Sequence, residues 1–223
     1  MRQFLFSFYC FAFGLSATAA TADEVLAKLD AAAPKFSGMT ADLTRVTYTK
    51  VLDEKASESG QIALRKHGRD MQVLINLTKP DEKLVGFRGR KAEIYYPKLK
   101  TVQEWDLGKH GDLIDQFLLV GFGSGKDLKS GYAVKYAGEE TIAGQKAHKL
   151  ELTPSAAEIK DKLRRVELWM SESGNYPVQQ RFVEPSGNYY MATYSNVKLN
   201  PALTDEALRL KLPKGVKREY PQK

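Results

Sequence analysis

The sequence predicts a mainly β fold with some α, one curved sheet crossed by two amphipathic helices. Three observations lead there. Apolar and polar residues alternate through most of the chain, the period of a half-buried strand. Two segments switch instead to helical spacing. Clusters of Gly, Pro, Asn, Asp and Ser interrupt the alternation at short intervals, as turns do. Strands with one apolar face must bury it, and an antiparallel sheet commonly leaves its other face wet, so the helices are the natural cover.

Taken in order, the chain opens with Arg2, an apolar stretch from Phe4 to Leu15, and two A-x-A patterns at Ala17-Thr18-Ala19 and Ala20-Thr21-Ala22. This is the pattern of a removable export signal, read as residues 1–22 with cleavage before Asp23. The apolar stretch is too short to span a hydrocarbon core of roughly 30 Å, and no later stretch is longer, so no membrane span is expected. The single cysteine, Cys10, lies within this segment, so the mature chain is expected to fold without disulfides. About 200 residues, 23–223, then form one domain.

Val25, Leu26, Leu29, Ala32, Ala33 and Phe36 sit at helical spacing behind Asp23. From Gly38 the period becomes two. Met39 to Leu52 reads as a strand, Asp53 to Gly60 as a polar turn, and Gln61 to Arg65 as the returning strand of a hairpin. Met71 to Leu77, Leu84 to Phe87, Ala92 to Tyr96 and Lys100 to Leu107 continue the meander. Asp112, Leu113, Ile114, Phe117, Leu118 and Val120 then return to helical spacing, until the glycine run Gly121 to Gly125 stops it. Further strands follow at Tyr132 to Tyr136, Ala147 to Leu152, Arg164 to Met170, Val178 to Val183 and Tyr189 to Leu199. Leu208, Leu210 and Leu212 precede Pro213, and a charged tail ends the chain. The reading amounts to about eleven strands and two main helices.

Most chemistries find no support. The histidines, His67, His110 and His148, have no zinc spacing, so no metal or other cofactor is expected. Gly121-Phe122-Gly123-Ser124-Gly125-Lys126 fails as a phosphate loop, because Val120 stands where a glycine is needed and Asp127 where a hydroxyl is needed. Gly123 at its centre also rules out a nucleophile elbow. Adjacent carboxylates such as Glu139-Glu140 point different ways on a strand, and a hydrolase would need a set such as Glu93, His148 and Asp106 to converge. The chain is therefore read as no enzyme. The net charge of +7 is spread among 27 acidic residues, and an exported protein has no nucleic-acid partner. What remains is apolar lining: Ile62, Leu64, Val73, Ile75, Tyr96, Trp105, Leu150, Leu152, Leu168 and Phe182. Their pattern fits a filled core and a lined hollow equally.

Certain segments carry a resemblance: Gly60-Gln61-Ile62-Ala63-Leu64, Thr78-Lys79-Pro80-Asp81-Glu82, Ile94-Tyr95-Tyr96-Pro97, and Leu210-Lys211-Leu212-Pro213-Lys214-Gly215-Val216. In this order, behind an exported helix, they resemble the periplasmic outer-membrane lipoprotein carrier (LolA-like) family, the last of them looking like that family's final strand followed by Pro-x-Gly-Val. The resemblance implies an unclosed antiparallel β barrel with helices covering its concave face, in the periplasm. It implies acyl chains of lipoproteins or related lipids as cargo, taken from an inner-membrane release complex and passed to an outer-membrane receptor. The ten lining residues become acyl-chain contacts, and Leu26, Leu29, Leu113, Phe117 and Leu118 become lid residues. Carriers of that family tie down the lid with an Arg-Pro pair after the second strand; here Arg65-Lys66-His67 occupies the region without a proline, making Arg65 the candidate lid contact. The same scaffold also serves as a lipoprotein-sensing or protein-binding regulatory module. The chain is expected to act as a monomer.

Overall fold

The computed structural model describes residues 21–67, 70–108, 120–173 and 176–222. The signal segment up to Ala20 and the second helix with its lid candidates Leu113, Phe117 and Leu118 lie outside the described residues, Val120 excepted. The strands are β1 (Gly38–Thr49), β2 (Glu54–His67), β3 (Asp70–Lys79), β4 (Lys83–Arg88), β5 (Lys91–Tyr96), β6 (Thr101–Asp106), β7 (Tyr132–Ile142), β8 (Gln145–Pro154), β9 (Arg165–Ser171), β10 (Pro177–Val183), β11 (Tyr189–Leu199) and β12 (Lys217–Glu219). They form one twelve-stranded sheet in the order β12-β6-β5-β4-β3-β2-β1-β11-β10-β9-β8-β7. Its two edges do not pair with each other, so the barrel is unclosed. Every neighbouring pair is antiparallel except β12 with β6.

Three departures from the sequence reading have local causes. Glu54 to Ser59, read as a turn, is strand: Glu54 pairs with Thr49 and Ser59 with Thr44, while the reversal is confined to Lys50–Asp53. Both faces of this hairpin end are polar, so no alternation marks it. The twelfth strand comes from the charged tail, where Lys217 to Glu219 adds in parallel to Thr101 to Gln103 and Arg218 pairs with Glu104 of β6, so no apolar alternation marks it. Leu210 to Leu212 is not a strand; Leu210 and Leu212 pack with Tyr95, Val102, Leu74 and Leu84 on the convex face.

Helix α1 (Ala22–Ala32) is closed by a capping box, in which the Thr21 side chain accepts from the Glu24 N–H and the Glu24 carboxylate accepts from the Thr21 N–H at 2.9 Å. It buries Val25, Leu26 and Leu29 against Leu150 and Leu152 of β8 and Val166, Leu168 and Met170 of β9. Each such side chain contributes about 1.5–3 kcal/mol of burial. Helix α2 (Gly125–Gly131) begins inside the glycine run that reads as a helix stop. Ser124 and Asp127 form its capping box, and Gly125 lies so close to α1 that a Cβ would stand 2.5 Å from the Leu26 carbonyl oxygen. On the convex face the buried carboxylate of Glu167 is met by Arg165 at 2.8 Å, by Arg181 and by Lys149 at 3.9 Å, the compensation that a buried charge requires.

Candidate functional site

The alternation of each strand sends one set of side chains to the concave face, and there the sheet divides into two halves. Over β7, β8 and β9 the face is sealed: Leu150, Leu152 and Leu168 are fully buried beneath α1 and Val120. Over β1, β2, β3, β10 and β11 it is hollow. A cavity of about 240 Å³ is lined by Leu43, Ile62, Leu64, Val73, Ile75, Phe122, Phe182, Ala192 and Tyr194, with Arg45, Gln180, Tyr190 and Met191. An adjoining hollow of about 340 Å³ over β4 and β5 is lined by Val85, Phe87, Ile94, Tyr96 and Lys83, and shares Arg45 and Ile75 with the first.

The boundary between the halves is held by hydrogen bonds. Gln180, buried on β10, donates through Nε2 to the Val120 carbonyl and accepts at 2.7 Å from the Tyr194 hydroxyl. Phe122 follows, stacked on Phe36 at 5.6 Å and edge-on to Tyr194 at 6.1 Å, so an aromatic group closes one end of the first hollow. Burial pushes the Tyr194 hydroxyl above the ordinary tyrosine range, against the opposing pull of the Arg45 charge, and keeps it a donor. Nearer the β1–β2 turn, Lys83 Nζ meets Glu58 Oε1 at 2.5 Å, and an Arg45 guanidinium nitrogen stands 3.8 Å from Glu58 Oε2.

The predicted lining residues therefore separate. Ile62, Leu64, Val73, Ile75 and Phe182 meet in the first hollow and Tyr96 in the second. Trp105 stands on β6 opposite Ala92 of β5, its buried indole N–H without an acceptor among the described residues. Leu150, Leu152 and Leu168 belong to the sealed core, because α1 lies over them. Leu26 and Leu29 are the α1 residues that seal it. Arg65, the candidate lid contact, makes its described contacts elsewhere. Its neighbour Leu64 takes the concave side, so Arg65 projects to the convex face, where it donates to the Leu203 carbonyl at 2.8 Å and to Gln72 at 2.6 Å and pairs with Asp205. It holds the C-terminal segment, not α1. The set Glu93, His148 and Asp106 does not converge, since seven strands lie between β5 and β8. Among the described residues no cluster of three metal-ligating side chains occurs, and no helix is long and apolar enough to cross a membrane. Arg45, Phe122 and Gln180 were not legible as site residues. Only the capping pattern Ser124-x-x-Asp127, which ends the preceding segment at Ser124, hinted that Val120 to Gly123 is a connection laid against the sheet.

Residues 35–211 match the family model described as outer membrane lipoprotein carrier protein LolA, a span running from before β1 to beyond β11 and containing both hollows. The chain belongs to the LolA family. Among solved structures, the LolA-family fold seen here resembles MucB, with a TM-score of 0.54 at 15% identity over 85% of this chain and 62% of that one. The chain thus spans less than two thirds of MucB. An uncharacterized conserved protein from Thermus thermophilus matches with a TM-score of 0.55 at 11% identity over 89% of this chain and 98% of that one. A LolA superfamily protein from Nitrosomonas europaea matches over 86% of this chain and 99% of its own, at 17% identity and a TM-score of 0.40. For MucB and the Thermus thermophilus protein the likeness concerns the fold alone. No curated protein sequence matches the chain.

Proposed function

We propose that residues 23–223 form a single periplasmic carrier domain that shields the acyl chains of lipoproteins or related lipids and ferries them from the inner toward the outer membrane. The observation that carries this reading is the apolar first hollow, which the described side chains leave unfilled. A filled core would serve stability alone. An acyl chain gains about 0.8 kcal/mol per CH₂ on leaving water, so even a short stretch of chain in the hollow binds usefully and can still be released. Ile62, Leu64, Val73, Ile75, Phe182 and Tyr96 are the acyl-chain contacts on this reading. Loading from an inner-membrane release complex and delivery to an outer-membrane receptor would move cargo without any covalent step.

The test is mass spectrometry of organic extracts from the protein purified out of the periplasm. It is run alongside Ala192→Trp, which fills the hollow, and Ile75→Glu, which charges it, both checked for folding by thermal melts. Lipid or acylated protein that co-purifies with the wild type and is lost from both variants is the expected result. A lipid-free wild type that also takes up no fluorescent acyl probe would overturn the carrier reading in favour of a protein-binding module on the same sheet.

A further inference from the structure

The charge of the first hollow resides in one group. Arg45 is the single charged residue among its described lining residues, and it stands where the two hollows meet, lining both. Its side chain is 36% exposed, neither buried in the sheet nor released to solvent. Among the described residues its guanidinium makes no hydrogen bond. The carboxylate nearest to it, that of Glu58 at 3.8 Å, is engaged by Lys83 at 2.5 Å. Two cations on one carboxylate leave one net positive charge facing otherwise apolar space. The buried polar pair beside it is already committed, since Gln180 accepts from Tyr194 and donates to the Val120 carbonyl.

A bare acyl chain offers the guanidinium nothing, and filling the hollow with one would cost the donors their water without replacing it. The planar fork of N–H donors matches the oxygens of a carboxylate or phosphate, and its methylene stem can lie along apolar surface while the head meets the anion. We propose that the ligand of this hollow is an amphiphile with an anionic group, phosphate or carboxylate, next to its acyl chain, and that Arg45 receives that group. This rests on the reading of the hollow as an acyl-chain site and names the chemistry of what enters it.

The experiment is displacement of the neutral probe N-phenylnaphthylamine from the purified protein. Palmitoyl lysophosphatidate and monopalmitoylglycerol, which differ by the phosphate, are compared with palmitate and with inorganic phosphate alone. From the usual strength of charge-assisted hydrogen bonds, lysophosphatidate should act at about one tenth of the concentration that monopalmitoylglycerol needs. Palmitate should share the advantage, and inorganic phosphate should displace nothing. In Arg45→Gln the advantage of lysophosphatidate over monopalmitoylglycerol should shrink to about threefold or less, and Arg45→Lys should restore part of it. Glu58→Gln, which leaves Arg45 in place and removes the competing carboxylate, should widen the advantage. Equal potency of the two lipids on the wild type, an undiminished advantage in Arg45→Gln, or displacement by inorganic phosphate as readily as by lysophosphatidate would each overturn the assignment. A folded protein that does not bind the neutral probe at all would instead remove the acyl-chain reading on which the assignment stands.

Discussion

Tyr194 shows how a single residue can serve the hollow and the sealed half together. Its ring lines the cavity, while its hydroxyl is spent on Gln180, which in turn holds the Val120 carbonyl. Tyr194→Phe keeps the ring but leaves a buried amide oxygen unbonded, a loss of about 1–3 kcal/mol. Urea denaturation at neutral pH measures it. The same hydroxyl carries a pH dependence. Burial raises its pKa above the ordinary tyrosine value, so the folded state holds the proton more tightly than the unfolded one. That contribution is complete below about pH 10 and is lost as pH rises above it. The denaturation midpoint of the wild type should therefore fall above that pH, and Tyr194→Phe should flatten part of the fall. Identical slopes in the two proteins would contradict the assignment. Burial raises Tyr132 and Tyr136 in the same direction, so part of the fall should remain.

Among the elements, α1 decides how much of the concave face is closed, and its first turn depends on Thr21. Cleavage before Asp23 would remove that cap together with Ala22, whereas the earlier A-x-A pattern ending at Ala19 would keep it. An N-cap hydroxyl contributes about 1 kcal/mol, so a chain beginning at Ala20 should be more stable by that amount than one beginning at Asp23. Paired thermal melts measure the difference, and indistinguishable melting temperatures would show that the cap does not hold the helix. The C-terminal segment is the convex counterpart of α1: it offers Leu210 and Leu212 to the outer face of β3, β4, β5 and β6. Arg65 fastens its beginning through Leu203 and Asp205.

At the scale of the whole molecule, the two halves of the concave face divide stability from binding. Leu150 is fully buried in the sealed half, so Leu150→Ala should cost about 2–5 kcal/mol while leaving uptake of an acyl probe unchanged in the protein that remains folded. Ala192→Trp should do the reverse, abolishing uptake at small cost to stability, because it grows into space that the described side chains leave open. Titration of each variant with the probe, next to its denaturation curve, separates the two effects. A loss of uptake in Leu150→Ala that follows the folded fraction would agree; a loss beyond it would mean that the sealed half also takes cargo.

Much of this architecture could be read from the chain alone, because strand alternation and helical spacing are short-range properties. Val166, Leu168 and Met170 announce their face by a period of two, and Val25, Leu26 and Leu29 by a period near four. The mainly β class and the family-bearing segments are legible for the same reason. Tertiary structure alone decided which apolar residues line space and which are sealed. Leu64 and Leu150 share the alternating pattern and the concave face, and differ only in whether α1 lies above them. It also decided that Arg65 faces away from the hollow while Arg45 faces into it. A strand's parity relative to the core is set by its register with its neighbours, and a bulge such as the one between Ser59 and Gly60 can reset it without any mark in composition.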